Sequence, residues 1–434
     1  MLRAVRRNTE LGLIVLGTLV TVGAYLLASL ARDASIPANI GPFLGIVLGL
    51  QLVAHLAIRR LAPDADGTLL PIAGLLNGIG YVFIVRLDEA KANPKNLAGL
   101  QSVWALVGVS AFILTLLVVR RARDLERYRW TLGLAGIGLL LLPLVPGVGK
   151  TINGAKIWVG IGPVSFQPGE FAKILLALFF ASYLVEKREL LAVSSRRLGP
   201  IPLPDPKHLG PVVLAWAASL VVMISQKDLG SSLLFFALFV AMLWVATERA
   251  TYLVVGALLF GGGALLAHSH FTHVQDRVAI WVDPWQDPKG DGFQVVESQF
   301  AFSAGGITGT GINLGNPTRI PYAETDFIFA AIGEELGLVG ATGILIAYLL
   351  VIGAGLRIAL RTDVPFERLL ATGLTVLMGV QSFIIIAGVI RVLPLTGVTL
   401  PFVSYGGSSL IANYVLLALL LRISDDTAQR QEIR

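Results

Sequence analysis

In PYAETDFIFAAIGEELG, residues 321–337, Asp326 stands at the mouth of an otherwise apolar helix, and Glu334 and Glu335 follow about two turns deeper. Carboxylates near lipid are costly, so their placement asks for a reason. At the start of a helix an acid gains from the macrodipole, and Glu324, Thr325 and Asp326 can be read as a solvated cap. The same carboxylate could instead take a proton from a hydroxyl or bind a cation. Glu334 and Glu335 fit satisfied interhelical hydrogen bonds. Glu170 and Lys173 lie three apart and share a helix face, which suits an ion pair fixing two helices. Asp228 is either a hairpin cap or catalytic support. Arg391 precedes LPLTGVTLPFVSYGGSS, 393–409, a proline- and glycine-rich stretch carrying Ser404 and Tyr405. Lipid cannot satisfy such irregular backbone, so the stretch must line protein or water.

The elements that must hold these residues are membrane helices. The chain has 434 residues, 55% hydrophobic and only 14% charged, with mean hydropathy +0.75. A soluble domain carries about 25% charged residues. Twelve apolar segments approach the ~20 residues a crossing needs. They lie near 11–31, 40–58, 68–86, 98–119, 130–147, 170–185, 209–225, 229–247, 250–268, 327–356, 367–390 and 407–422. The third is interrupted by Asn77, Gly78 and Gly80. MLRAVRRNTE leads into the first span with no small-residue cleavage site, so that span is expected to be retained. The absence of cysteine excludes a disulfide framework. The net charge of +6 needs no nucleic-acid partner, since basic loops facing anionic lipid account for it.

With the N-terminus inside and spans alternating, inner segments hold 22 of the 34 basic residues. The positive-inside rule therefore favours both termini in the cytoplasm. Acids, Lys173, Arg391 and the irregular stretch then gather at the outer leaflet. Two long outer segments, 148–169 and 269–326, are expected to be non-helical, apart from an amphipathic piece at Phe293–Phe302. The inner 186–208 connector is proline-rich. HSHFTH, with His268, His270 and His273, suits a membrane-exit helix better than a metal site. SAGGITGTGINLG, 303–315, lacks the GK[ST] of a phosphate loop and reads as a loop of close backbone approach. Trp281 and Trp285 suit a lipid–water interface.

Five motifs together resemble the SEDS family, the RodA, FtsW and SpoVE proteins of bacterial shape, division and sporulation. They are GAKIWVGIGPVSFQPGEFAK (154–173), QKDLGSS (226–232), DPWQDPKGDGFQVVESQFAFSAGGITGTG (283–311), ETDFIFAAIGEELG (324–337) and LPLTGVTLPFVSYGGSS (393–409). The likeness spans roughly 68–424, in order and with matching spacing. It implies an all-α polytopic membrane protein with a ten-helix core and a large extracytoplasmic loop at 269–326. The division expected is an extra helix pair in 1–67, the core in 68–424 and a cytoplasmic tail in 425–434. The resemblance further implies a peptidoglycan glycosyltransferase that polymerises lipid II, the undecaprenyl-pyrophosphate-linked precursor, at the outer face of the bacterial cytoplasmic membrane. It implies a class B penicillin-binding protein, a transpeptidase, as partner. Asp326 matches the family's essential aspartate; Glu170, Lys173 and Asp228 match its supporting charged residues. Lys156 stands one position before the family's arginine, Gly169 replaces a serine and Lys227 a proline.

Chain extension joins a sugar 4-hydroxyl to an anomeric carbon that carries a lipid pyrophosphate. Asp326 is expected as the general base or as the carboxylate of a divalent cation, magnesium or manganese; no organic cofactor is needed. Lys173, Lys156 and Arg391 are candidates for steadying the pyrophosphate. A lipid flippase, or a scaffold for the penicillin-binding protein, is the alternative. The clustering of charge at outer helix ends rather than the midplane favours surface chemistry.

Overall fold

A computed structural model describes residues 2–34, 40–91, 94–152, 154–161, 164–192, 196–198, 201–203, 217, 220–221 and 225–433. The protein is an all-helical polytopic membrane protein with small accessory sheets. Its described helices are α1 (Leu2–Asp33), α2 (Ile40–Leu61), α3 (Leu69–Glu89), α4 (Leu97–Val118), α5 (Arg129–Leu141), α6 (Gly169–Ala192) and α7 (Leu229–Thr247). They continue as α8 (Thr251–His270), α9 (Thr272–Val282), α10 (Phe293–Gly305), α11 (Ile328–Arg361), α12 (Pro365–Val389) and α13 (Gly407–Ile433). Eight of them, α1, α3, α4, α7, α8, α11, α12 and α13, are long and apolar enough to cross a membrane. Helices α2 and α6, at 22 and 24 residues, also have spanning length.

Three expectations change. The segment 269–326 is not one open loop, because α9 and α10 occupy much of it. Only the α10 part was legible as amphipathic. The span expected at 130–147 is the 13-residue α5, followed by a 3-10 turn at Leu142–Leu144. Pro143 has no amide hydrogen to continue the ladder, and at ~1.5 Å per residue α5 falls short of a bilayer. The stretch 425–434, expected as a tail, continues α13 as far as Ile433, and Asp425 in it is buried. The span expected at 209–225 lies almost wholly outside the described residues.

The chain divides into two compact units. The first holds 1–118, 276–354 and 381–434. Here α3 serves as a seat for the N-terminal pair. Gly74 and Gly78 are four apart and so share a face. A Cβ on Gly78 would lie 2.4 Å from Thr21 Oγ1 of α1, and one on Gly74 would lie 2.5 Å from the Gln51 side chain of α2. Small residues at such spacing let helices approach in a membrane. On α4, Gly108 admits the ring of Tyr414 from α13 in the same way. Arg422 of α13 donates to Leu61 O at 2.7 Å and Leu116 O at 2.6 Å, so one cation caps the ends of both α2 and α4.

In the same unit α11 is broken at Gly337, whose φ of 65° and ψ of −165° fall in a region open only to glycine. The 303–315 loop fills the break. Leu338 N donates to Gly306 O at 2.9 Å and Val339 N to Ile307 O at 3.2 Å. A Cβ on Gly309 would lie 2.2 Å from Glu335 O, which bears out the reading of a loop of close backbone approach.

The second unit holds 119–275 and 355–380. In it α5 packs on α6, with Gly133 against Phe179 and Gly136 against Leu176. Between these helices the chain forms an antiparallel sheet, β1 (Gly149–Ile152), β2 (Ala155–Ile161) and β3 (Val164–Phe166), with Lys150 opposite Trp158 and Gly160 opposite Ser165. A two-stranded ribbon, β4 (Arg196–Leu198) and β5 (Ile201–Leu203), lies further along the chain.

Candidate functional site

The first unit contains a cavity of about 220 Å³ lined by Arg277, Trp281, Asp291, Gln294, Asp326, Arg391 and Gly397, among others. Asp326 sits two residues before α11, where the helix N-terminus favours negative charge. It is half-buried in the cavity wall, and the desolvation pushes its pKa up to about 6, while Arg277 and a bond from Thr325 hold it from rising further. Gly397 lies beneath both groups, with φ of 72°. A Cβ placed there would be 3.7 Å from Arg277 Nη2 and 3.8 Å from Asp326 Oδ2. The carboxylate and the guanidinium therefore converge on one point.

Arg277 was not among the residues singled out from the sequence. It belongs to α9, and Arg277 and Trp281, four apart, share the face that lines the cavity. That spacing was the available signal, hidden because 269–326 read as loop. Arg277 also donates to Leu395 O, fixing the guanidinium on the irregular stretch.

Arg391 lines the same cavity, with two of its nitrogens already engaged. Nε donates to Trp281 O at 2.8 Å and Nη2 to Val282 O at 2.5 Å, capping the end of α9. Ser404 and Tyr405 hold the backbone that carries Asp326. Ser404 Oγ donates to Thr325 O at 2.5 Å, and Tyr405 N donates to Glu324 O at 2.8 Å. Lys91 Nζ meets Glu324 Oε1 at 2.6 Å. The irregular stretch is satisfied by protein, as its composition requires. Tyr348 OH donates to Pro401 O at 2.5 Å and Gln381 Nε2 to Thr399 O at 2.9 Å.

Glu335 makes the expected contact between helices, whereas Glu334 braces the 303–316 loop instead. Arg86 of α3 donates Nε to Glu335 Oε1 at 2.7 Å and Nη2 to Gly315 O at 2.9 Å. Asn316 N donates to Glu334 Oε1 at 2.6 Å.

The second unit holds the other candidates. Lys173 Nζ lies 2.8 Å from Glu170 Oε1, both side chains buried. Both residues lie on α6, as their three-residue spacing allows. Asp228 caps α7, accepting from Ser231 N at 3.0 Å. Burial raises its pKa, opposed by Ser231 and then Lys173, and Glu170 adds to the rise. The three charges therefore form one electrostatic cluster. Lys156, in β2, directs Nζ to Leu144 O at 3.4 Å, and its backbone N donates to Gln226 O at 3.3 Å. Gln226 Nε2 donates to Leu140 O at 2.6 Å, tying the turn before Asp228 to the end of α5.

No group of three or more His, Asp or Glu side chains able to hold a metal ion is found among the described residues. Asp326 and Asp291 do line one cavity. Two carboxylates suit magnesium that arrives with a phosphate group, since that ion completes its shell from phosphate oxygens and water.

The structure is thus that of a polytopic helical membrane protein with an acid of raised pKa beside two arginines at a helix mouth. Residues 67–429 match the family model described as cell cycle protein, FtsW/RodA/SpoVE. The chain belongs to that family. It is 46% identical over 96% of its length to the peptidoglycan glycosyltransferase RodA of Mycobacterium tuberculosis, covering 90% of that protein. A chain from a solved peptidoglycan synthase complex, described for coordinating polymerization and crosslinking, is 30% identical with a TM-score of 0.68. That match covers 84% of this chain and 98% of the other. The crystal structure of the rod shape determining protein RodA of Thermus thermophilus is 28% identical with a TM-score of 0.59, covering 83% of this chain and 97% of that one.

Proposed function

We propose that this peptidoglycan glycosyltransferase uses Asp326 as the general base of glycan polymerisation. The observation that carries the assignment is the convergence of Asp326 and Arg277 above Gly397 in one cavity, with the acid's pKa near 6. The substrate is lipid II. The acceptor's 4-hydroxyl attacks the anomeric carbon of the donor as its proton passes to Asp326. A carbon–oxygen bond forms, and the bond to the lipid pyrophosphate breaks. A base whose pKa lies near the working pH suits that transfer. The leaving pyrophosphate gains negative charge, and Arg277 faces it from a fixed position. Arg391 holds the α9 end that carries Trp281 beside it.

In the alternative reading Asp326, with Asp291, would instead hold a divalent cation arriving with the pyrophosphate, which would neutralise the leaving group. Glu170, Lys173, Asp228 and Lys156 form the second set assigned to the reaction, with the two lysines serving the lipid's phosphates. Charge distribution over the loops supports cytoplasmic termini and chemistry at the outer face of the cytoplasmic membrane. The partner we assign is a class B penicillin-binding protein, which would crosslink the strands. The N-terminal pair, 1–67, is proposed as an addition to the family core.

The test is polymerisation of labelled lipid II by purified protein, alone and with the class B partner. Wild type should give a glycan ladder. Asp326→Asn should lose activity by at least about 10²-fold while melting normally. A folded Asp326→Asn protein with full activity would overturn the base assignment. No glycan from either protein, with partner and magnesium present, would favour a flippase or scaffold.

A further inference from the structure

We infer that the link between α4 and α5 forms a binding site for the headgroup of an anionic membrane phospholipid, separate from the polymerisation cavity. A second hollow, of about 630 Å³, is lined by Arg121, Arg123, Asp124, Glu126, Arg127, Arg129 and Trp130. These residues come from the 3-10 helix Ala122–Tyr128, its preceding residue Arg121 and the start of α5, all in the second unit. Four guanidiniums face two carboxylates, so the lining carries an excess of positive charge. Arg129 is matched by Glu186 outside the hollow. Arg121 and Arg123 are exposed and have no ion-pair partner among the described residues.

The aromatic residues give the hollow its orientation. Tyr128 and Trp130 are about half exposed, and the guanidiniums of Arg127 and Arg129 lie 4.8 and 5.6 Å from their ring centroids. A guanidinium stacked on a ring keeps its N–H edge free for phosphate oxygens. Tyr and Trp settle where lipid meets water. From Trp130 an exposed face runs along α5 through Leu134, Gly138 and Leu141. Leu134 is 71% exposed, more than the core side of this helix could tolerate. An apolar stripe that begins in an arginine-lined hollow matches an amphiphile with an acidic head. Acyl chains would lie along α5, and the phosphate would sit among Arg121, Arg123 and Arg127. Basic hollows at helix ends are where acidic headgroups bind.

Native mass spectrometry of the full-length protein in detergent tests this, using phosphatidylglycerol and phosphatidylcholine of identical acyl chains. Wild type should retain phosphatidylglycerol in preference. Affinity should fall about fivefold for each of Arg121→Gln, Arg123→Gln and Arg127→Gln, with melting and polymerisation in detergent unchanged. The corresponding lysine variants should keep most of the preference, which controls for misfolding. Equal retention of the two lipids, or undiminished phosphatidylglycerol binding by the triple glutamine variant, would overturn the site. Inorganic phosphate bound as tightly as phosphatidylglycerol would overturn the lipid assignment.

Discussion

Asp326 and Arg277 set opposing influences on one proton. Burial raises the aspartate's pKa and Arg277 lowers it, leaving it at about 6. A base works only when deprotonated, so kcat/KM for polymerisation should fall about tenfold per pH unit below that value. Replacing Arg277 with Gln removes the lowering influence, and the acid limb should move to higher pH; Arg277→Lys should hold it nearer the original. Initial rates between pH 5 and 8 at constant ionic strength would show this, and a limb that stays put or moves down would refute the coupling. At this scale the sequence exposed the carboxylate and concealed its cation. An aspartate before IFAAI stands out against apolar neighbours. Arg277 lies among polar residues in a short helix, where a basic side chain attracts no notice. The same difficulty affected Glu170 and Lys173: their spacing was legible, whereas only coordinates reveal that Asp228 joins their electrostatic cluster.

Helix α3 shows how an element far along the chain governs the site. A Cβ on Gly80 would lie 2.3 Å from the backbone oxygen of Val403, and backbone cannot swing aside as a side chain does. Val403 precedes Ser404, whose hydroxyl holds Thr325 O beside Asp326. Gly80→Ala should therefore cost about 1–3 kcal/mol of stability by overpacking. It should also lower kcat disproportionately, by up to about 10²-fold if the carboxylate shifts by an ångström. Thermal melting together with lipid II turnover separates the two effects; full turnover would show that the stretch is not coupled to Asp326. Asn77, Gly78 and Gly80 first read as defects in a hydrophobic span. In the fold Gly74 and Gly78 seat the N-terminal helices, and Gly80 seats the catalytic support. Hydropathy averages over a window and discards this information, which a glycine spacing of four retains.

Across the molecule, the segment ahead of the family match is built into the first unit. The family model begins at residue 67, yet the mycobacterial alignment covers 96% of the chain and so includes most of the helix pair. Arg7 donates to Ala65 O and to Glu10, and Glu10 Oε1 lies 2.7 Å from His55 Nδ1, so α1 and α2 share buried polar contacts. Deleting 1–67 would bare the Gly74–Gly78 face and is expected to abolish recovery of monodisperse protein, measured by fluorescence-detected size exclusion. Arg422 Nη1 also lies 3.3 Å from Asp425 Oδ2. Arg422→Ala should cost about 3 kcal/mol or more, because it removes the buried cation beside Asp425 and uncaps α2 and α4; a melting temperature equal to wild type would contradict this. Hydropathy placed ten of the twelve expected spans on described helices of 19 residues or more, but it did not see that α5 stops at 13. It could not foresee that α13 would run on through an acidic, polar end, because Asp425 is accommodated by accepting Asp64 N at 2.7 Å.

The break at Gly337 is expected to act as a mechanical joint. A continuous rod from Ile328 to Arg361 would transmit any tilt imposed by bilayer thickness straight to its tip. Instead the helix is interrupted, and the loop bonds both pieces, accepting from Leu338 N and Val339 N and donating to Glu334 O and Glu335 O. Bending strain should be absorbed at the joint, leaving the carboxylate still while the span leans. Polymerisation in reconstituted vesicles should then vary little with acyl-chain length. Stiffening the joint with Gly337→Ala, which must also force a Cβ to within 2.5 Å of Ile307 O, should make the enzyme sensitive to the thickness of the membrane around it.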